Sequence, residues 1–160
     1  PAERNIMNHR PRSPKEALLS GFFVWRVLMV SVLMMIGGLG LFLWEQHIGV
    51  STETARTMAI NAIVMSEMFY LINSRHTFAS VLHLEGLTGN RYVLLAIVAC
   101  LLLQITYTHL PTMQSIFNST DLTMLQWCKS IAAGLMVFCV IEIEKSVIRH
   151  TRLASVVTSA

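Results

Sequence analysis

Charge is what this sequence has least of. Asp, Glu, Lys and Arg together make up 13% of its 160 residues, about half the share a soluble domain carries. That scarcity excludes an ordinary water-soluble globular domain. Cysteine is scarce too. Cys100, Cys128 and Cys139 each sit inside an apolar run, without C-x-x-C spacing or an even count, which excludes a disulfide framework and a zinc site and leaves them as buried small hydrophobes. The histidines (His9, His47, His76, His83, His109 and His150) are scattered over connectors and segment edges, with no pair spaced i, i+4 on one helix, so no metal or haem centre follows. The sequence has no G-x-x-x-x-G-K-[ST] loop, no G-x-S-x-G elbow and no H-E-x-x-H, and it shows no internal repeat or low-complexity tract. No catalytic or cofactor-binding residue is assigned within the chain. Pro1-Ala2-Glu3-Arg4 is polar and reads as no signal peptide, and with Pro1 in place of Met the chain is expected to be a piece of something longer.

What the sequence has in excess is apolar residues, 54% of the total, gathered into long blocks. A bilayer core needs about 20 apolar residues per helix. Four blocks meet this: residues 18–44, 54–74, 92–110 and 122–143. None alternates as a barrel strand would. The expected fold is therefore all-α, a polytopic membrane protein of four transmembrane helices. Residues 1–17 form a cytosolic loop, 18–144 the transmembrane domain and 145–160 a cytosolic tail. Ser13-Pro14-Lys15-Glu16 reads as a capping box with Pro at the first helical position. Ser51 or Thr52 can cap the second helix, Asn90 the third, and Ser119 or Thr120 the fourth. Pro111 blocks continuation of the third. Trp44, Tyr107 and Trp127 fall near the expected interfaces.

The net charge of +3 does not point to nucleic acid, because the basic residues border the apolar blocks. Arg4, Arg10, Arg12 and Lys15 precede the first block, Arg75 and Arg91 lie between the second and third, and Lys145, Arg149 and Arg152 follow the fourth. Glu45, Glu53 and Asp121 gather on the other side with Arg56. The positive-inside rule then puts both termini in the cytosol. Arg26 and Lys129 fall inside spans and must snorkel or pair, and Arg26 with Glu142 is the pair expected. Gly37, Gly38 and Gly40 permit close helix packing. Asn118-Ser119-Thr120 matches a glycosylation sequon, a weak signal alone.

Glu67 is the residue that could carry chemistry. It lies about seven residues from the cytosolic end of its span, roughly 10 Å deep. A carboxylate there should face the bundle interior, either as an ion-site candidate or as a carboxyl satisfied by a basic or hydrogen-bonding neighbour. Asn61, Ser66 and Asn73 add oxygens on the same helix, though not all on one face. A calcium site takes about six to eight oxygens, so most ligands must come from helices outside this chain. Glu142, Glu144 and Lys145 read as a solvated or snorkelling helix end.

The segment Ile6-Met7-Asn8-His9-Arg10-Pro11-Arg12-Ser13-Pro14-Lys15-Glu16-Ala17-Leu18-Leu19-Ser20 resembles the cytosolic loop between the sixth and seventh membrane helices of type II P-type ATPases, which reads I-M-x-x-x-P-R-x-P-x-E-x-L-[IL]-S. Ala55-Arg56-Thr57-Met58-Ala59 leading to Glu67, Phe69 and Asn73-Ser74-Arg75 is similar to their eighth helix. Asn90-Arg91-Tyr92 is similar to the start of the ninth, and Gln126-Trp127 running to Glu142-Ile143-Glu144-Lys145 to the tenth. The resemblance implies the C-terminal transmembrane region of a calcium-pump-like, ATP-driven cation pump that works through an aspartyl-phosphate. The expected host is a bacterial inner membrane, and the expected partners are the transported cation, the bilayer and the remaining helices and cytosolic domains of the pump. Glu67 matches the acidic residue that helps hold a transported ion in calcium pumps, while some relatives carry Gln there. ATP and magnesium are expected of the parent pump and not of this chain, which lacks the D-K-T-G motif. Two rival readings remain: a free-standing four-helix adaptor or subunit, and a small secondary transporter with Glu67 as proton relay.

Overall fold

Five helices follow one another in the computed structural model, which describes residues 21–74 and 91–158: α1 Gly21–His47, α2 Thr52–Asn73, α3 Arg91–His109, α4 Pro111–Phe117 and α5 Met124–Thr158. No strand occurs among the described residues. The capping box at Ser13, the cap at Asn90 and the whole loop segment from Ile6 to Ser20 lie outside them.

Each boundary has a local cause. α1 ends in a Schellman motif: Gly49 adopts φ +86°, its N–H donates to the Gln46 carbonyl at 3.0 Å, and the Val50 N–H donates to the Glu45 carbonyl at 3.0 Å. After this tight reversal Ser51 caps α2, its hydroxyl accepting from the Thr54 N–H at 3.3 Å. Leu110 is extended between α3 and α4 because Pro111 takes the first position of α4, as the proline rule requires. Asn118 in the left-handed region then closes α4. α5 is capped by Thr123, not by Ser119 or Thr120. The Thr123 hydroxyl accepts from the Gln126 N–H at 3.4 Å, and the Gln126 side-chain oxygen accepts from the Thr123 N–H at 2.8 Å. Ser119 and Thr120 are unavailable because Ser119 donates to the Tyr107 carbonyl and Thr120 meets Thr57 and Thr54. α5 continues to Thr158, so the segment expected as a cytosolic tail begins as helix.

α2 is central, packed along α5 and α1 and touching α3 more lightly. Val30, Val137 and Ile141 form a small apolar core with Met29, Leu33, Met34 and Tyr70 around it. Gly38 lets Ile63 of α2 lie directly against α1. The distribution of side chains is that of a bundle in lipid. Trp25, Leu28, Leu95, Leu103 and Leu125 are exposed, while Arg26, Glu45, Asn61, Asn73, Ser130 and Lys145 are buried. Cys100, Cys128 and Cys139, expected to be buried, are all exposed. They belong to the apolar outer faces that water-soluble proteins would turn inward. Among the described residues α1, over Val24–His47, and α3, over Tyr92–His109, are long and apolar enough to cross a membrane.

Candidate functional site

α2 determines the site, because it turns its polar residues two ways. Thr57, Asn61, Ser66 and Asn73 are buried together with Ala55, Met58, Ala62, Met65 and Met68. Glu67, between two buried residues, is exposed. It does not face the interior of this bundle, contrary to the expectation from burial cost. Neighbouring residues on a helix are about 100° apart, and the small and hydroxyl side chains that permit close approach to α5 occupy the inward stripe. Among the described residues no donor or basic group meets the Glu67 carboxylate. It points away from the packed helices of the described residues.

The three supporting residues are separated from Glu67. The Asn61 amide donates to the Thr57 carbonyl at 3.1 Å and to the Thr108 hydroxyl of α3 at 3.2 Å, while its Oδ1 stays buried without a partner. The Ser66 hydroxyl donates to the Ala62 carbonyl at 2.7 Å, a bond within its own helix. The Asn73 amide donates to a Glu142 carboxylate oxygen at 3.0 Å. Asn61 and Asn73 join α2 to its neighbours, Ser66 bonds within α2, and the structure does not bring any of them to Glu67.

The end of the bundle near Asn73 is built by α5. Lys145 is 1% exposed. Its ammonium donates to the Asn73 carbonyl at 2.7 Å and lies 3.5 Å from Glu142 Oε1. A solvated helix end was expected here. Instead Lys145 satisfies a carbonyl at the C-terminus of α2, where backbone acceptors lack helical partners and a positive charge is favoured. Arg26 of α1 donates to Glu144 at 3.1 Å, the carboxylate two positions beyond the one expected. α1, α2 and α5 are thereby tied together at one level.

The opposite end is tied as well. Lys129 of α5 bonds the buried Glu45 of α1 at 2.7 Å. Arg56 donates to the Asn118 carbonyl. His109 lies 2.8 Å from Asp121 and accepts from the Trp127 indole N–H at 3.3 Å. Since the indole nitrogen only donates, the imidazole proton sits on Nδ1 toward Asp121. No group of three or more His, Cys, Asp or Glu converges among the described residues.

Two residues of consequence have roles that the sequence reading does not give. One is Lys145, hidden by its place in a charged run. The other is Gly134, where an added Cβ would stand 2.9 Å from the carbonyl carbon and Cβ of Met65 and from the Ser66 nitrogen. The signal for Gly134 was the small-x-x-x-small spacing from Ser130, a known mark of close helix crossings in membranes.

An all-helical bundle that turns its apolar side chains outward and buries many of its polar ones has the architecture of a membrane-embedded domain. The chain matches the family described as "Cation transporting ATPase, C-terminus" over residues 1–147, and it belongs to that family, as the C-terminal region of a cation-transporting P-type ATPase. It is 34% identical over 141 residues to the probable cation-transporting ATPase F of Mycobacterium tuberculosis, covering 88% of this chain and 16% of that protein. It is 33% identical over 127 residues to the cation-transporting ATPase pma1 of Synechocystis, covering 76% and 14%. Human calcium-transporting ATPase type 2C member 1 is 27% identical over 149 residues, covering 93% and 16%. The chain thus spans about a sixth of the length of these relatives.

Proposed function

We infer that the chain supplies the last four membrane-spanning helices of an ATP-driven cation pump, with both ends in the cytosol, and that Glu67 lends its carboxylate to the ion pathway. One observation carries this reading: Glu67 lies mid-span and outward. Of the other described carboxylates, Glu45 and Glu53 lie at the α1–α2 hairpin end, Asp121 precedes α5, and Glu142 and Glu144 lie level with the end of α2. In hydrocarbon an unpaired carboxylate is costly, so its outward face belongs against further helices of the pump, where a cation offsets the cost. A hard oxygen donor fits calcium or another divalent cation, and a calcium-transporting protein is among the relatives.

Four spans are supported by length and packing. α2, with 22 residues, reaches about 33 Å, and α5, with 35 residues, about 52 Å, against a hydrocarbon core of about 30 Å. Both carry more polar residues than α1 and α3, and many of those residues are turned inward. Orientation is supported by the fate of the basic residues. At the hairpin end Arg56 and Lys129 are both engaged, by the Asn118 carbonyl and Glu45. Most of the other basic residues follow or precede the opposite ends of the helices. On this reading residues 1–17 and 145–160 are cytosolic, and ATP and magnesium bind parts of the pump outside this chain. The mycobacterial and cyanobacterial relatives favour a bacterial membrane as host.

The test is Glu67→Gln in the full-length pump. Cation-dependent phosphorylation should require at least about tenfold more cation, the loss of one charged ligand, with the amount of assembled pump unchanged. An unaltered cation dependence would return Glu67 to a structural role.

A further inference from the structure

α2 and α5 meet along one seam, and three of its contacts fall on the backbone of α2. Near the hairpin end the Ser130 hydroxyl donates to the Met58 carbonyl at 3.1 Å. At the other end Lys145 donates to the Asn73 carbonyl at 2.7 Å. Between them Gly134 presses on the peptide joining Met65 to Ser66, leaving no room for a Cβ. Glycine is a poor helix former, so its presence inside a 35-residue helix answers a demand for space. Contacts to side chains would tolerate rotamer changes. Contacts to carbonyls and a peptide set the rotation and height of the helix itself.

The contact at Gly134 falls on the peptide that ends one residue before Glu67. With Met65 and Ser66 held against α5, the next residue must leave the helix about 100° farther round, away from the seam. Ser66 is buried and Glu67 exposed, as that rotation requires. We propose that Gly134, flanked by Ser130 and Lys145, is a positioning residue for the cation pathway: its bare Cα, seated on the Met65–Ser66 peptide, sets the direction in which the Glu67 carboxylate leaves α2. This rests on the reading of Glu67 as a cation ligand. A ligand must be held within about 0.5 Å of its productive place, and calcium–oxygen distances vary only over about 2.3–2.6 Å. A methyl group at residue 134 would displace α2 by an amount of that order.

The experiment uses the full-length pump. ATP hydrolysis is titrated with calcium and with manganese, and the ion that activates the unmodified protein is used throughout. Gly134→Ala should raise the half-activating concentration about three- to tenfold and leave the rate at saturating cation within about twofold. In a Glu67→Gln background it should add no further shift. A change in maximal rate alone, no change at all, or an equal shift in the Glu67→Gln background would each overturn the proposal. If Glu67→Gln shifts activation while Gly134→Ala is silent, the positioning role fails and the ligand role stands. If Glu67→Gln is itself silent, both fail. Should Gly134→Ala not accumulate in membranes, Ser130→Ala, which removes one flank and adds no atom, decides: a higher half-activating concentration supports the proposal, and an unchanged one overturns it.

Discussion

The Lys129 ammonium lies 2.7 Å from a carboxylate oxygen of Glu45, and the two side chains differ in their access to solvent: Glu45 is fully buried and Lys129 about one-third exposed. Removing one partner therefore has unequal consequences. Lys129→Met strands a buried carboxylate whose other oxygen already lacks a partner. Partial exposure of Lys129 tempers the loss, which should be about 1–3 kcal/mol. The double variant Glu45→Gln/Lys129→Met should recover most of it. Thermal inactivation of the full-length pump in detergent reads both: a single variant as stable as the unmodified pump would show that the pair contributes nothing, and no recovery in the double variant would show that the stranded carboxylate is not the source of the loss.

The two glycine contacts should differ in cost. A Cβ at Gly38 meets the outer atoms of Ile63, at 2.7 and 2.9 Å. That side chain is partly exposed and can turn away, so Gly38→Ala should cost less than about 1 kcal/mol. A Cβ at Gly134 meets backbone, which cannot turn away, and Gly134→Ala should cost about 1–3 kcal/mol. Melting points of the two variants in the same detergent give the ranking, and the reverse order would contradict the packing described.

Thr123 and Gln126 satisfy each other's backbone N–H groups, so their effects should not add. Either Thr123→Ala or Gln126→Ala should cost about 1 kcal/mol, and the double variant little more than the larger single one. Denaturant unfolding of the four proteins completes the cycle, with full additivity counting against a reciprocal cap.

Gly49 needs its positive φ to reverse the chain between α1 and α2. Gly49→Ala should cost about 1–2 kcal/mol, and Gly49→Asn less, because Asn tolerates the left-handed region. Comparable losses for Ala and Asn would mean that space, not backbone angle, selects glycine there.

Helix content was legible because apolar blocks of bilayer length have few alternatives. α1 and α3 are read directly from hydropathy, and the Ser51 and Pro111 boundaries from the chemistry of single residues. Thr123 was missed because Ser119, Thr120 and Thr123 are all competent caps. The choice among them depends on Tyr107, Thr54 and Thr57, which are distant in sequence and adjacent in the fold. Lys145 was misread for a related reason. A lysine after an apolar block usually reaches water, and only the arrival of the α2 C-terminus beside it makes burial favourable. The facing of Glu67 was read inward because burial cost demands cover, but the cost does not say from which helices the cover comes. Asn61, Ser66 and Asn73 looked like companions to Glu67 by proximity in sequence. Their hydrogen bonds show them spent on other partners.

The seam between α2 and α5 has a mechanical consequence. Two rods touching at a single point can pivot freely about it, and a second point leaves only rotation about the line joining the two. The crossing at Gly134 sits between the hydrogen bonds from Ser130 and Lys145 and opposes that remaining motion. Both donors are buried, Ser130 completely and Lys145 to within 1%, so water has little access to the two carbonyls. The pair has no soft degree of freedom left, and it moves as one body or not at all.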